Sequence, residues 1–221
     1  MIRQIVSCGA PSFLNNIAGR ITSILMNTVL LQMGGERAVS VYGILMFADG
    51  VVQPLLYGLC DSLQPAVGYN WGAGNLSRVK AIEKRCFLAS AVLAMIAAVI
   101  IFSFPEMVTR LFMGDTDEAT MTMAITALGI FSMTYLTRWF SFATQSFMSA
   151  IERPLQASFI SVGTALVFPV FLIVALWSLK LQGLWLNFPL TSLLAAILSG
   201  VILLWFLKKM RRNKAAGESF H

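Results

Sequence analysis

Apolar residues recur along this chain in runs of about 20, the length at which an α-helix crosses the roughly 30 Å hydrocarbon core of a bilayer. Six spans are predicted, at 5–33, 39–72, 87–104, 120–150, 155–177 and 184–207. Gly9 and Pro11 break the first near its start, and Gly34-Gly35 end it. The second is too long to cross upright, so it is expected to tilt, to bend at Pro54 or to run past the membrane surface. An amphipathic lead-in at 76–85 is expected to lie along the interface before the third span, which Pro105 closes. An acidic turn at 114–118 precedes the fourth span, Glu152-Arg153-Pro154 turn the chain into the fifth, and a basic tail follows the sixth. The predicted fold is therefore an all-α integral membrane bundle of six helices over 1–207, with a basic cytoplasmic tail over 208–221.

Polar residues interrupt this pattern on selected faces. At 100° per residue, Asp49, Gln53, Tyr57, Asp61, Gln64 and Gly68 of the second span fall within an arc of roughly 120°. Hydrocarbon strongly disfavours carboxylates there unless they are paired, solvated or protonated. In the first span Asn16, Arg20, Ser23 and Asn27 share a face, and in the fourth so do Thr134, Arg138, Ser141, Gln145 and Ser149. The third, fifth and sixth spans carry scattered Ser, Thr and Asn, which can bond to carbonyls of their own helices. Helices one, two and four are thus expected to surround a polar cavity. Depths at 1.5 Å per residue pair Asp49 with Arg20, and Asp61 with Arg138.

Composition narrows the function. With 57% hydrophobic and 12% charged residues among 221, and a net charge of +6, the excess of cations clusters beside spans at 78–85 and 208–214. That placement fits lipid head groups and topology, not nucleic acid. Arg37, Arg110 and Lys180 fall on one side of the six-span scheme, and the remaining loop and tail cations on the other, so both termini are expected in the cytoplasm of a multi-pass cell-membrane protein. Cys8, Cys60 and Cys86 are far apart, lie in or beside apolar segments and show no metal spacing; each is expected to serve as a small buried hydrophobe. The single histidine is His221, no catalytic motif occurs, and no cofactor is implied.

One decamer is more specific. Gln64-Pro65-Ala66-Val67-Gly68-Tyr69-Asn70-Trp71-Gly72-Ala73, ending a long span and followed by a basic amphipathic segment, resembles the QPxxGYNxGA signature of multidrug and toxic compound extrusion (MATE) transporters. Gly9-x-Pro11, Leu111-Phe112, the 150–154 turn and Gly183-Leu184-Trp185 add weaker likenesses, so the resemblance covers about residues 5 to 207. It implies a cation-coupled antiporter in which H⁺ or Na⁺ enters while an organic, often cationic and amphipathic, compound leaves by alternating access. Such transporters have two six-helix lobes, and this chain resembles the C-terminal one, so a missing N-terminal lobe or a second half-transporter chain is the implied partner. The family motif positions are Gln64, Pro65, Gly68, Asn70 and Gly72. Family members place coupling acids in the first helix of the N-terminal lobe, or in the first and fourth helices of this one, where the chain has Arg20 and Arg138; the ion site does not carry over. Gly58-x-x-Asp61-x-x-Gln64-Pro65 is similar to one bacterial branch, which makes Asp61 the leading functional candidate. Two other readings stand beside export: a lipid or lipid-linked-sugar flippase, and a non-transporting assembly lobe. The balance of two intramembrane Asp against two Arg favours a neutral or cationic cargo over phosphates.

Overall fold

The computed structural model describes the backbone of residues 2–114 and 117–216, and side chains from Phe13 onward except 14, 15, 211 and 213–216. The side chain of Cys8, the turn residues Asp115 and Thr116 and the far end of the tail fall outside the described residues; the expected break at Gly9 and Pro11 does not occur, because the helix that starts at Ile2 runs through both and leaves helical geometry only at Gly35. Nine α-helices are described, with no strand among the described residues: α1 Ile2–Asp61, α2 Gln64–Gly72, α3 Leu76–Ser103, α4 Pro105–Met113, α5 Glu118–Ser132, α6 Tyr135–Ala150, α7 Pro154–Val162, α8 Phe168–Ala175 and α9 Lys180–Ala216. A π-helical turn, Gly163–Val167, joins α7 to α8.

α1 is a hairpin. At Gly35 the backbone takes φ 67° and ψ −164°, a region open essentially to glycine alone. The Tyr42 hydroxyl donates to Ser23 Oγ at 3.4 Å, although 19 residues of straight helix would separate them by about 28 Å. The arms 2–34 and 36–61 therefore run antiparallel, as the Gly34-Gly35 stop predicts. Four helical stretches are long and apolar enough to cross a membrane: Asn16–Gly72, Leu76–Ser103, Pro154–Ala175 and Trp177–Met210. The first holds both arms of the hairpin, and the pair α5 and α6, bent by 47°, makes one broken span. Six crossings result. α4, at nine residues, is about 14 Å long and too short to be another.

The breaks fall where proline or hydroxyls free the backbone. Pro54 does not interrupt α1; the second span breaks instead at Ser62-Leu63, before Pro65. Pro65 lacks an N–H, and its ring crowds the carbonyl of Asp61 four residues back. The 47° break between α5 and α6 has no proline. It is closed by i→i−3 bonds from Met133, Thr134 and Leu136, and the Thr134 carbonyl accepts from Ser192 Oγ at 2.8 Å in addition to the Arg138 N–H of its own helix at 3.1 Å. In the fifth span Pro169 cannot bond the Ala165 carbonyl, which accepts from Thr22 Oγ1 at 2.5 Å instead. The lead-in at 76–85 is continuous with the third span, forming a single 28-residue helix.

Packing follows the apolar pattern. α3 buries Cys86, Ser90, Ala94, Ala97, Ala98 and Ile101, mostly small residues that allow close helix approach, and exposes Leu88, Val92, Ile96 and Val99 on its other side. The central core joins Met26 and Leu30 of the first arm to Ile44, Leu45 and Leu56 of the second, and to Leu128, Phe131 and Tyr135 of the broken span.

Candidate functional site

Inside the bundle a polar cavity of about 400 Å³ opens between five spans. The first arm of α1 contributes Asn16, Arg20, Thr22 and Ser23; the second contributes Tyr42, Asp49, Gln53 and Tyr57. From the broken fourth span come Thr134, Arg138, Ser141 and Phe142. The expectation that only helices one, two and four form it is too narrow, because Thr164, Ala165 and Pro169 of the fifth span and Asn187, Thr191 and Ser192 of the sixth also line it. The reason lies in the breaks: the π turn and Pro169 expose a backbone oxygen that periodicity cannot reveal. The oxygen so exposed is the Ala165 carbonyl, and Asn187 Nδ2 adds a bond from the sixth span to the Pro169 carbonyl at 2.9 Å. Among the described residues α3 adds nothing to the lining, as its apolar face predicts.

Asp49 is the buried charge at the cavity wall, 7% exposed. Its Oδ1 accepts from Arg138 Nη1 at 2.6 Å and from the fully buried Tyr135 hydroxyl at 2.9 Å. Both donors use one oxygen, which leaves Oδ2 without a protein donor among the described residues. The Arg138 guanidinium also lies over the Phe142 ring, 5.5 Å from its centroid, and Phe142 stacks on Tyr57 at 4.4 Å. The arrangement is a fixed, charge-assisted pair whose free carboxylate oxygen can take a proton, a cation or a water.

Both predicted pairings are therefore corrected: Arg138 pairs with Asp49, not Asp61, and Arg20 makes no ion pair with Asp49. Arg20 instead stands exposed at the cavity. Asp61 lies outside the lining, exposed, where its Oδ1 accepts from Gln64 Nε2 at 2.7 Å and Ser146 Oγ at 2.9 Å. Gln64 joins the same group through a 3.0 Å bond to Ser146. Asn27 donates to its own helix at Ser23 O and is not in the lining, and Gln145 is buried outside it. Gln53 and Tyr57 are in place. Tyr135 is the residue the polar-face reading missed; its ring belongs to the apolar core and only its hydroxyl reaches Asp49, so a stripe of polar residues does not include it.

A family model described as MatE matches residues 11–174. The chain belongs to the MatE family. The multidrug export protein MepA of Staphylococcus aureus (strain N315) is 25% identical over 174 residues, 78% of this chain and 38% of the relative. The probable multidrug resistance protein NorM of Thermotoga maritima is 24% identical over 193 residues, 84% of this chain and 40% of that one. An outward-facing multidrug resistance MATE transporter structure superimposes with a TM-score of 0.84 at 20% identity, covering 96% of this chain and 47% of the other. A transporter of the MOP superfamily from Pyrococcus furiosus gives 0.82 over 97% and 47%. The chain spans about two-fifths of the length of these curated relatives and about half that of the solved structures: one lobe of a MATE transporter fold. Members of the family are transporters, not enzymes. The MATE motif has physical content here. Pro65 sets the break before α2, a Cβ at Gly68 would stand 3.1 Å from the Ala150 carbonyl oxygen, and Asn70 Nδ2 donates to the Ala66 carbonyl at 2.8 Å while the backbone carbonyl of Asn70 accepts from Asn75 N. Gly72 ends α2.

Proposed function

We propose that this lobe works with a second six-helix unit, in the same polypeptide or another, as a cation-coupled antiporter that exports organic amphipathic compounds from the cytoplasm. The observation that carries the reading is Asp49 held by Arg138 and Tyr135 at the wall of a cavity shared by five helices. Binding of H⁺ or Na⁺ at Oδ2 weakens the pull of Asp49 on Arg138. That frees the broken fourth span to change its bend, and alternating access needs such a two-state element. Both ends of the lobe lie in the cytoplasm, with membrane lipid around it and no nucleic acid partner, in keeping with the distribution of Lys and Arg. The bundle over 1–207 is the transporting unit, and 208–221 the cytoplasmic tail.

Cargo charge has a second reading. With Asp61 outside the cavity, the formal charges in the lining are Arg20 and Arg138 against Asp49, an excess of one positive charge. This favours an anionic head group, and hence the flippase reading, unless carboxylates of the facing unit reverse it. The test is the complete transporter in proteoliposomes, given an inward H⁺ or Na⁺ gradient and either a fluorescent organic cation or an anionic lipid analogue. Gradient-driven movement of the cation that Asp49→Asn abolishes, and that Asp49→Asn/Arg138→Gln does not restore although the protein folds, supports the proposal. Movement of the anion alone supports the flippase reading. Undiminished efflux in Asp49→Asn removes Asp49 from the mechanism, and movement of neither leaves an assembly lobe.

A further inference from the structure

A second concavity, which shares no residue with the central cavity, lies at the membrane-surface end of α3. α6 packs against both α3 and α9, while these two hardly meet, and the gap between them is a groove of about 250 Å³. Its walls are apolar: Trp71, Phe87, Phe147, Leu203, Leu207 and Met210. Its rim is charged. Lys80, Glu83 and Lys84 all line it, within one 100° face of α3. Lys80 and Lys84 are exposed, whereas Glu83 Oε2 is buried with no hydrogen-bond partner among the described residues. Leaving a carboxylate oxygen in that condition is costly.

Depth identifies the occupant's surroundings. α3 is about 42 Å long, and its uncharged part from Cys86 to Ser103 measures about 27 Å, close to the hydrocarbon thickness. Lys80, Glu83 and Lys84 therefore sit in the head-group layer, and the groove leads from them towards the hydrocarbon. An apolar slot under two ammonium groups and one unpartnered carboxylate matches a molecule with an acyl chain, a phosphate and a primary ammonium. We propose that this groove binds an aminophospholipid of the phosphatidylethanolamine type, its phosphate between Lys80 and Lys84, its ammonium on Glu83, and one acyl chain along Leu203 and Leu207. The chemistry distinguishes it from other lipids. A phosphatidylglycerol offers the phosphate but no cation for Glu83, and a phosphatidylcholine offers a cation with no N–H to donate. The inference does not depend on what the central cavity carries.

The test is competitive retention. The protein, purified with any partner lobe it carries, is exposed to equimolar phosphatidylethanolamine, phosphatidylglycerol and phosphatidylcholine, and bound lipids are counted by native mass spectrometry. Phosphatidylethanolamine is expected to exceed each of the others by about tenfold, the worth of one charge-assisted hydrogen bond. E83Q should bring the three within a factor of about two, K80A/K84A should weaken all of them, and L207W should lower occupancy while keeping the order. Melting curves in lipid-free detergent show whether a variant folds, and if E83Q does not, the contrast between phosphatidylethanolamine and phosphatidylcholine on the unaltered protein stands in its place. Equal retention of the three lipids, a preference that a folded E83Q leaves unchanged, or retention of none, as when a partner lobe covers the groove, overturns the proposal.

Discussion

Asp49 and Arg138 sit on helices that run in the same direction, from Gly35 and Glu118 respectively. Arg138 is about 30 Å along its span and Asp49 about 20 Å along its own, so straight-helix depth sends the arginine past Asp49 towards Asp61. Two effects reverse that. Helical side chains lean towards the N-terminus, which points the long arginine back at Asp49, and the 47° bend at Met133-Thr134 shortens the depth of its span. The charges and their helices were thus legible in the sequence, and their partners were not, because a break without proline leaves no plain signal. The pair is largely buried, with side chains 19% and 10% exposed, so removing one member strands the other. Arg138→Leu is expected to cost about 3–5 kcal/mol, and Asp49→Leu/Arg138→Leu distinctly less than the sum of the two single changes. Denaturant titrations of all three variants measure this; additive losses would mean the two residues do not interact. Asp61, by contrast, is exposed and bonded to neutral groups. Asp61→Asn should cost no more than about 1 kcal/mol and leave efflux near that of the unaltered transporter, whereas loss of transport at full expression would restore Asp61 to the leading role the motif suggests.

Each departure of an element from a straight helix has a local cause, and several meet at the cavity. The Gly34-Gly35 reversal and the Pro65 break follow from residue type, and the sequence shows the first, while the bend of the second span, expected at Pro54, falls before Pro65. Pro54 looks equally disruptive yet leaves α1 intact. The π turn before Pro169 and the bend after Ser132 each carry a carbonyl that accepts from a hydroxyl of another helix, Thr22 and Ser192, and no local pattern contains such partners. The hairpin is the element most open to a direct test. At φ 67° and ψ −164° a Cβ is strained even with open space around it, and nothing lies within 4 Å of one at Gly35. Gly35→Ala should therefore destabilise the lobe by about 1–3 kcal/mol through the backbone alone. Because Tyr42 and Ser23 meet only when the arms fold back, the same variant should raise amide exchange on both arms near those residues. A melting temperature equal to that of the parent would show that the turn relaxes at no cost.

At the scale of the lobe, the two ends are closed differently. At the end where α2 meets α3, apolar packing around Val67, Val79, Phe147 and Phe206 joins four helices. At the opposite end, an exposed clasp ties the hairpin turn to the start of the broken span: Arg37 Nη2 lies 3.3 Å from Asp117 Oδ2, and Asp117 caps α5 by accepting from the Thr120 hydroxyl at 2.6 Å and from its N–H. The Thr120 hydroxyl bond, aided by Arg37, holds the Asp117 carboxyl below its ordinary range. A carboxyl lowered on folding contributes its stability above its unfolded value, about 3.9, and loses it as pH falls through the lower folded one. The clasp should thus hold at neutral pH and open in acid, and salt should weaken the Arg37 part because both side chains are more than half or half exposed. Asn caps a helix nearly as well as Asp but carries no charge to titrate. In hydrogen exchange corrected for intrinsic rates, the first turn of α5 should lose protection as pH falls from 6 to about 3 in the parent, stay independent of pH in Asp117→Asn, and be weakened throughout in Asp117→Ala. If Asp117→Asn followed the parent's acid profile, the titrating group would lie elsewhere, and this end of the lobe would be held by its helices and not by the clasp.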